Sequence, residues 1–300
     1  MYQDFFEMQR MPFDLTPNTD FFCELPVHQE ALAFLQFCLN TKEGFIKIIG
    51  EVGSGKTLLC RQLINTVDQS HIVAYIPNPD LSPSGFKKAF LQELGVNLPV
   101  VMLMDSELDS MALIQDQLLA FNQTGKKVVL IIDEAQALSN ETLETIRLLS
   151  NFETESQKLL HIVLFAQPEL DKRLEMNELR QLKQRIVFSY HLAAISKEEM
   201  DVYVNHRLSL SGCELSGIFS AKARRMLYRA SGGIPRLINI LCHKALLVAY
   251  GLGCHEIGAR AMYHAIADTR IQGHENRRLL YCGVALLLLA ASFGLFILYR

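Results

Sequence analysis

Gly50-Glu51-Val52-Gly53-Ser54-Gly55-Lys56-Thr57 lies between the apolar run Phe45-Ile46-Lys47-Ile48-Ile49 and a helix-forming stretch, Lys56 to Val67. The octapeptide fits G-x-x-x-x-G-K-[ST]. Its glycines let the backbone wrap a phosphate chain, and the helix that follows aims its free amides and positive dipole end at that chain. Lys56 is expected to reach the β- and γ-phosphates, and Thr57 to offer its hydroxyl to Mg²⁺. The expected phosphate-contact segment is Gly50, Glu51, Val52, Gly53, Ser54, Gly55, Lys56 and Thr57, with Leu58 just beyond.

About 80 residues on, Val128-Val129-Leu130-Ile131-Ile132 carries Asp133 and Glu134 to its C-terminal end, the end at which ligands of open α/β sheets bind. Asp133 is placed to hold Mg²⁺ and Glu134 to polarise the water attacking the γ-phosphorus. Gln167 closes the next apolar strand, Leu160 to Ala166, where its amide can sense a γ-phosphate or orient water. Arg180 and Arg185 precede the last strand, Ile186 to Leu192; either can act as a finger on a neighbour's nucleotide. Arg236 follows Gly232-Gly233-Ile234-Pro235 at the start of a helix, and can point at the phosphates.

Around these motifs, strands and helices alternate. Further strands are read at 72–76 and 127–132, and helices at 83–94, 107–123, 140–152 and 168–183. Near-continuous apolar strands separated by helices predict an α/β fold, a parallel sheet with helices on both faces. From Ser196 the texture is helical only: 197–210, 220–230, 235–250 and 256–270. Ser196 with Glu199 forms a capping box. The expected organisation is an N-terminal segment at 1–42, a P-loop core at 43–194, a small all-α lid at 195–272 and a linker at 273–278. Leu279 to Tyr299 is uncharged and at 1.5 Å per residue spans about 31 Å, the length of a transmembrane helix. Arg277 and Arg278 before it, against Arg300 after it, put the N-terminal body in the cytoplasm by the positive-inside rule.

Composition narrows the classes. Half of the 300 residues are hydrophobic and net charge is −3, so disorder is excluded and nucleic acid is not the expected partner. Seven scattered cysteines without a Cys-x-x-Cys pair give no disulfide framework or zinc knuckle. The nine histidines have no ligand spacing, and Asp105, Glu107 and Asp109 read as a solvated acidic patch.

Taken together, Tyr2, Phe5-Phe6, Pro12-Phe13, His28-Gln29-Glu30, the loop at 50–57, Asp133-Glu134-Ala135-Gln136, Gln167-Pro168-Glu169-Leu170, Gln184-Arg185-Ile186 and Gly233-Ile234-Pro235-Arg236 resemble the AAA+ ATPases of the ExeA / general secretion pathway protein A family. The likeness covers about residues 1 to 270. It implies that Gln136 belongs to the DEAQ signature, that Gln167 is the sensor-1 position and Arg236 the sensor-2 position. It also implies self-association, with the finger acting between subunits. The implied function is an inner-membrane-anchored ATPase, using ATP and Mg²⁺, that drives or regulates assembly of a type IV (MSHA-like) pilus or a secretion machine. Longer relatives continue into a peptidoglycan-binding domain, so a separate subunit is expected to supply that activity. Two alternatives stand beside this: an NTP-gated regulator of DNA transactions, and a slowly hydrolysing nucleotide-dependent scaffold.

Overall fold

The computed structural model describes residues 2–16, 19–96, 107–155, 157–213 and 217–269. The linker at 273–278 and the expected membrane span at 279–299 lie outside the described residues. Among the described residues no helix is long and apolar enough to cross a membrane. The described residues divide into two compact units: those within 16–203 with 234–236, and those within 2–15, 204–233 and 237–269.

The first unit is built on five parallel strands, β1 (Phe45–Gly50), β2 (His71–Ile76), β3 (Lys127–Ile132), β4 (Leu160–Ala166) and β5 (Phe188–Leu192), in the order β2-β3-β4-β1-β5. Side chains alternate between faces along each strand. Val128, Leu130 and Ile132 of β3 and Ile162 and Leu164 of β4 pack under α3 (Pro83–Glu93), α4 (Glu107–Gln123), α5 (Asn140–Leu149), α6 (Pro168–Leu174) and α7 (Arg180–Arg185). Val129, Ile131, Val163 and Phe165 point the other way, under α1 (Pro26–Leu39) and α2 (Lys56–Thr66). Because both faces are covered, the three interior strands are apolar apart from Lys47, Lys127 at the start of β3, and His161.

Helix starts follow side-chain chemistry. Ser82 and Ser139 accept from Gly85 N and Thr142 N to cap α3 and α5. At the start of α8 (Lys197–Leu210), Glu199 N donates to Ser196 Oγ while Ser196 N donates to Glu199 Oε2, so the expected capping box forms.

One expectation is corrected. The helix read at 168–183 is broken after Leu174 by a 3₁₀ turn, Asn177–Leu179, before α7 begins. Leu170 and Leu174 are buried, and a continuous helix would next turn Glu178 toward the core. The break shifts the register, so Leu179 and Leu182 are buried instead. The last strand also starts two residues later than read, at Phe188, opposite Ile46.

The second unit contains α9 (Ala221–Ser231), most of α10 (Pro235–Gly251) and a helix, α11, over 259–269. Its surprise is the first fifteen residues. Tyr2, Phe6 and Phe13 are fully buried, and Phe13 meets Phe219 edge-on at 6.2 Å. Arg207, itself buried, donates from Nε to Pro12 O at 2.5 Å and from Nη2 to Asp14 O at 3.3 Å. Gln9 N donates to Ser211 O at 2.7 Å, and Phe5 stacks on His255 at 4.1 Å. The segment set apart at 1–42 from sequence therefore splits, its first part packing as core of the helical unit. Among the described residues six cysteines are free and no metal-holding cluster of His, Cys, Asp or Glu is present.

Candidate functional site

β1 delivers the chain into the loop at Gly50, and α2 takes it up at Lys56. Two glycines make the turn possible: Gly53 has φ +80° and Gly55 φ +100°, where L-residues are disfavoured. A Cβ on Gly53 would also lie 2.4 Å from Arg236 Cβ, and Arg236 N donates to Gly53 O at 3.2 Å. The backbone of Arg236 is thus held against the loop. Lys56 is buried and folds its ammonium back onto the loop, donating to Gly50 O at 2.8 Å and Glu51 O at 3.0 Å.

β3 brings the acids to the same end of the sheet. Thr57 Oγ1 donates to Asp133 Oδ2 at 2.7 Å, and Glu134 N donates to Asp133 Oδ1 at 2.9 Å. Glu134 adopts φ +52°, ψ +36°, a left-handed conformation that costs a non-glycine residue free energy and clusters at functional sites. Its carboxylate Oε2 accepts from Gln167 Nε2 at 2.9 Å and from Gln136 Nε2. The other end of the Gln136 amide accepts Gln167 N at 3.0 Å. Two glutamines therefore hold one glutamate.

Electrostatics follow from burial. Desolvation lowers the Lys56 pKa, opposed by the charges of Glu134 and Asp133. Desolvation raises that of Asp133, opposed by the Thr57 hydroxyl and the Glu134 amide. His28 of α1 is buried beside the loop, its Nε2 3.2 Å from where a Cβ on Gly55 would sit. Burial lowers its pKa against a hydrogen bond with the Ser54 backbone. Ser54 Oγ and His28 Nδ1 are buried without hydrogen-bond partners. A loop with a buried lysine, a hydroxyl without a partner and a threonine–aspartate pair fits a magnesium-bound triphosphate, whose oxygens would satisfy those donors.

The structure brings Lys56, Thr57, Asp133, Glu134, Gln167 and the Arg236 backbone together. Arg180 and Arg185 are not among them. Both are exposed on α7, and Arg185 lines a recess of about 170 Å³ with Glu43, Phe45, Lys158 and Gln184. That recess is at the strand starts, whereas the loop follows the end of the six-residue β1, about 17 Å away at about 3.3 Å per residue step. Neither arginine is hydrogen-bonded to the loop or the acids of its own chain. The sequence reading missed Arg173, which donates from Nη1 to Gln136 O at 2.8 Å and from Nη2 to Asn140 Oδ1 at 2.6 Å. It also missed the position of His28, which no local spacing signals.

A parallel sheet ordered β2-β3-β4-β1-β5, with a phosphate loop after β1 and paired acids after β3, defines a P-loop ATPase domain of the AAA+ class. Residues 39–174 match the AAA domain family. General secretion pathway protein A of Aeromonas hydrophila is 41% identical over 261 residues, 86% of this chain and 46% of that protein. The chain belongs to the family of general secretion pathway protein A and spans about half the length of that curated relative.

Among solved structures, the Aeropyrum pernix ORC2 protein in ADPNP–ADP complexes is similar at TM-score 0.58 and 21% identity, covering 86% of this chain and 71% of that one. Drosophila ORC bound to DNA gives 0.63 and 18%, covering 89% and 65%. The Thermotoga maritima RuvB branch-migration motor gives 0.53 and 15%, covering 86% and 73%. At these identities the likeness speaks for the fold.

Proposed function

We propose that the chain binds and hydrolyses ATP with Mg²⁺ and couples turnover to the assembly or operation of a secretion or MSHA-like type IV pilus machine. One observation carries the hydrolytic part: Thr57 meets Asp133 at 2.7 Å, beside a buried Lys56 and directly before Glu134. Lys56 would exchange its two loop carbonyls for β- and γ-phosphate oxygens, and Thr57 with Asp133 would hold the metal. When bound there by Thr57 and Asp133, Mg²⁺ would supply charge neutralisation to the phosphates. Glu134, held by Gln136 and Gln167, orients the attacking water and takes its proton. Arg180 or Arg185 acts from a neighbouring copy, so the working form is a homo-oligomer.

The machine assignment is supported by the likeness to general secretion pathway protein A. The uncharged stretch at 279–299 supports a single-pass anchor in a bacterial inner membrane, with the body in the cytoplasm. The test is phosphate release by the full-length chain with Lys56→Ala and Glu134→Gln alongside. Lys56→Ala should lose nucleotide binding; Glu134→Gln should bind ATP and turn over at least about 100-fold more slowly. Wild-type rates in both variants would sink the assignment. Recovery of a pilus or secretion subunit with the detergent-extracted chain, dependent on ATP, tests the partner class.

A further inference from the structure

Glu134 is held in the left-handed region, yet the residues after it run straight into a 3₁₀ turn, Ala135–Ala137, and then α5. A carboxylate presented from such a turn keeps its aim only if the turn is fixed from outside. Within the turn, the Gln136 side chain ties Glu134 to the backbone of Gln167. The Gln136 backbone needs its own anchor, and Arg173 supplies it. This half-buried guanidinium donates in two directions, to Gln136 O at 2.8 Å and to Asn140 Oδ1 at 2.6 Å. It thereby brackets the segment between the acids and α5. A planar fork suits this task, because one rigid group fixes two acceptors at once.

The support of Arg173 is itself tied down. It sits on α6, which begins right after Gln167, and two residues earlier Asp171 pairs with Lys47 in the middle of β1. One short helix therefore links the strand that leads to the phosphate loop, the strand end bearing Gln167 and the turn bearing Glu134.

We propose that Arg173 is a positioning residue for hydrolysis, fixing the 134–140 turn so that the Glu134 carboxylate stays aimed at the attacking water. This rests on the hydrolytic reading above. Arg173 touches neither loop nor acids, so its loss should slow the chemical step without weakening nucleotide binding. The test compares full-length wild type with Glu134→Gln, Arg173→Ala, Arg173→Lys and Asn140→Ala, measuring steady-state phosphate release, affinity for a non-hydrolysable ATP analogue, and melting temperature.

Arg173→Ala should lose at least about tenfold in kcat while KM and analogue affinity stay within about twofold, and Arg173→Lys should regain part of the rate. An unchanged kcat, or kcat and analogue affinity failing together, overturns the inference. Should Arg173→Ala not fold, Asn140→Ala decides: a lower kcat at wild-type analogue affinity supports the inference, and a wild-type kcat overturns it. A wild-type chain without turnover, or Glu134→Gln at full rate, overturns the hydrolytic reading and this inference together. A silent Arg173→Ala in an active enzyme overturns this one alone.

Discussion

Thr57 and Asp133, 76 positions apart in the chain, share a 2.7 Å hydrogen bond at the mouth of the sheet. The bond joins the first residues of α2 to the end of β3. Burial raises the Asp133 pKa, so the fold favours the neutral carboxyl. That contribution is complete below the unfolded value of about 3.9 and is lost as pH rises through the folded one. At neutral pH the ionised carboxylate therefore weakens the nucleotide-free fold. Asp133→Asn should melt at or above the wild-type temperature without nucleotide, yet lose magnesium-dependent turnover by at least about 100-fold. Calorimetry and phosphate release on the same sample check both halves; a lower melting temperature would contradict the first.

Gly53 answers two demands at once. Gly53→Ala meets a left-handed backbone, costing about 1 kcal/mol, and sets a methyl group 2.4 Å from Arg236 Cβ. Nucleotide affinity should fall by at least about tenfold, or ~1.4 kcal/mol. Gly125→Ala is the comparison: its φ is +75° but nothing lies within 4 Å of its Cβ position. That variant should bind nucleotide like wild type, as isothermal titration would show.

Burial lowers the pKa of His28 and His161. Each is held neutral in the fold, whereas the unfolded chain takes up a proton near pH 6.5. Stability should thus be intact above about pH 7 and decline as pH falls through 6.5 toward the lowered folded values, by up to ~1.4 kcal/mol per pH unit per group. Urea unfolding at pH 7.5 and 5.5 measures the decline. His28→Gln should reduce it, and equal slopes in the two proteins would count against His28.

Arg207 holds the N-terminal segment through two carbonyls. Hydrogen bonds from a charged group contribute about 1.5–3 kcal/mol, so Arg207→Ala should destabilise the helical unit by about 2–3 kcal/mol. Amide exchange should quicken first along α9 and α10, and uniform exchange across both units would refute the assignment.

The sheet was legible because its interior strands are buried on both faces, which writes near-continuous apolar runs into the sequence. The loop at 50–57 and the acids at 133–134 were legible because each is a contiguous string beside a strand. What stayed hidden depends on residues far apart. The break between α6 and α7 follows from which leucines reach the core, and helical periodicity over 168–183 does not reveal it. Docking of Tyr2, Phe6 and Phe13 pairs residues some 200 positions apart. Arg173 reads as an ordinary helix arginine until Gln136 O and Asn140 come within its reach.

Since residues 2–15 pack into the helical unit while the loop at 50–55 is carried by the sheet, a fluorophore attached near Tyr2 travels with the helices despite its place at the start of the chain. Paired with a second dye on solvent-exposed Val52, it gives a molecular ruler. Energy transfer between the two would read out, turnover by turnover, any displacement of one body against the other.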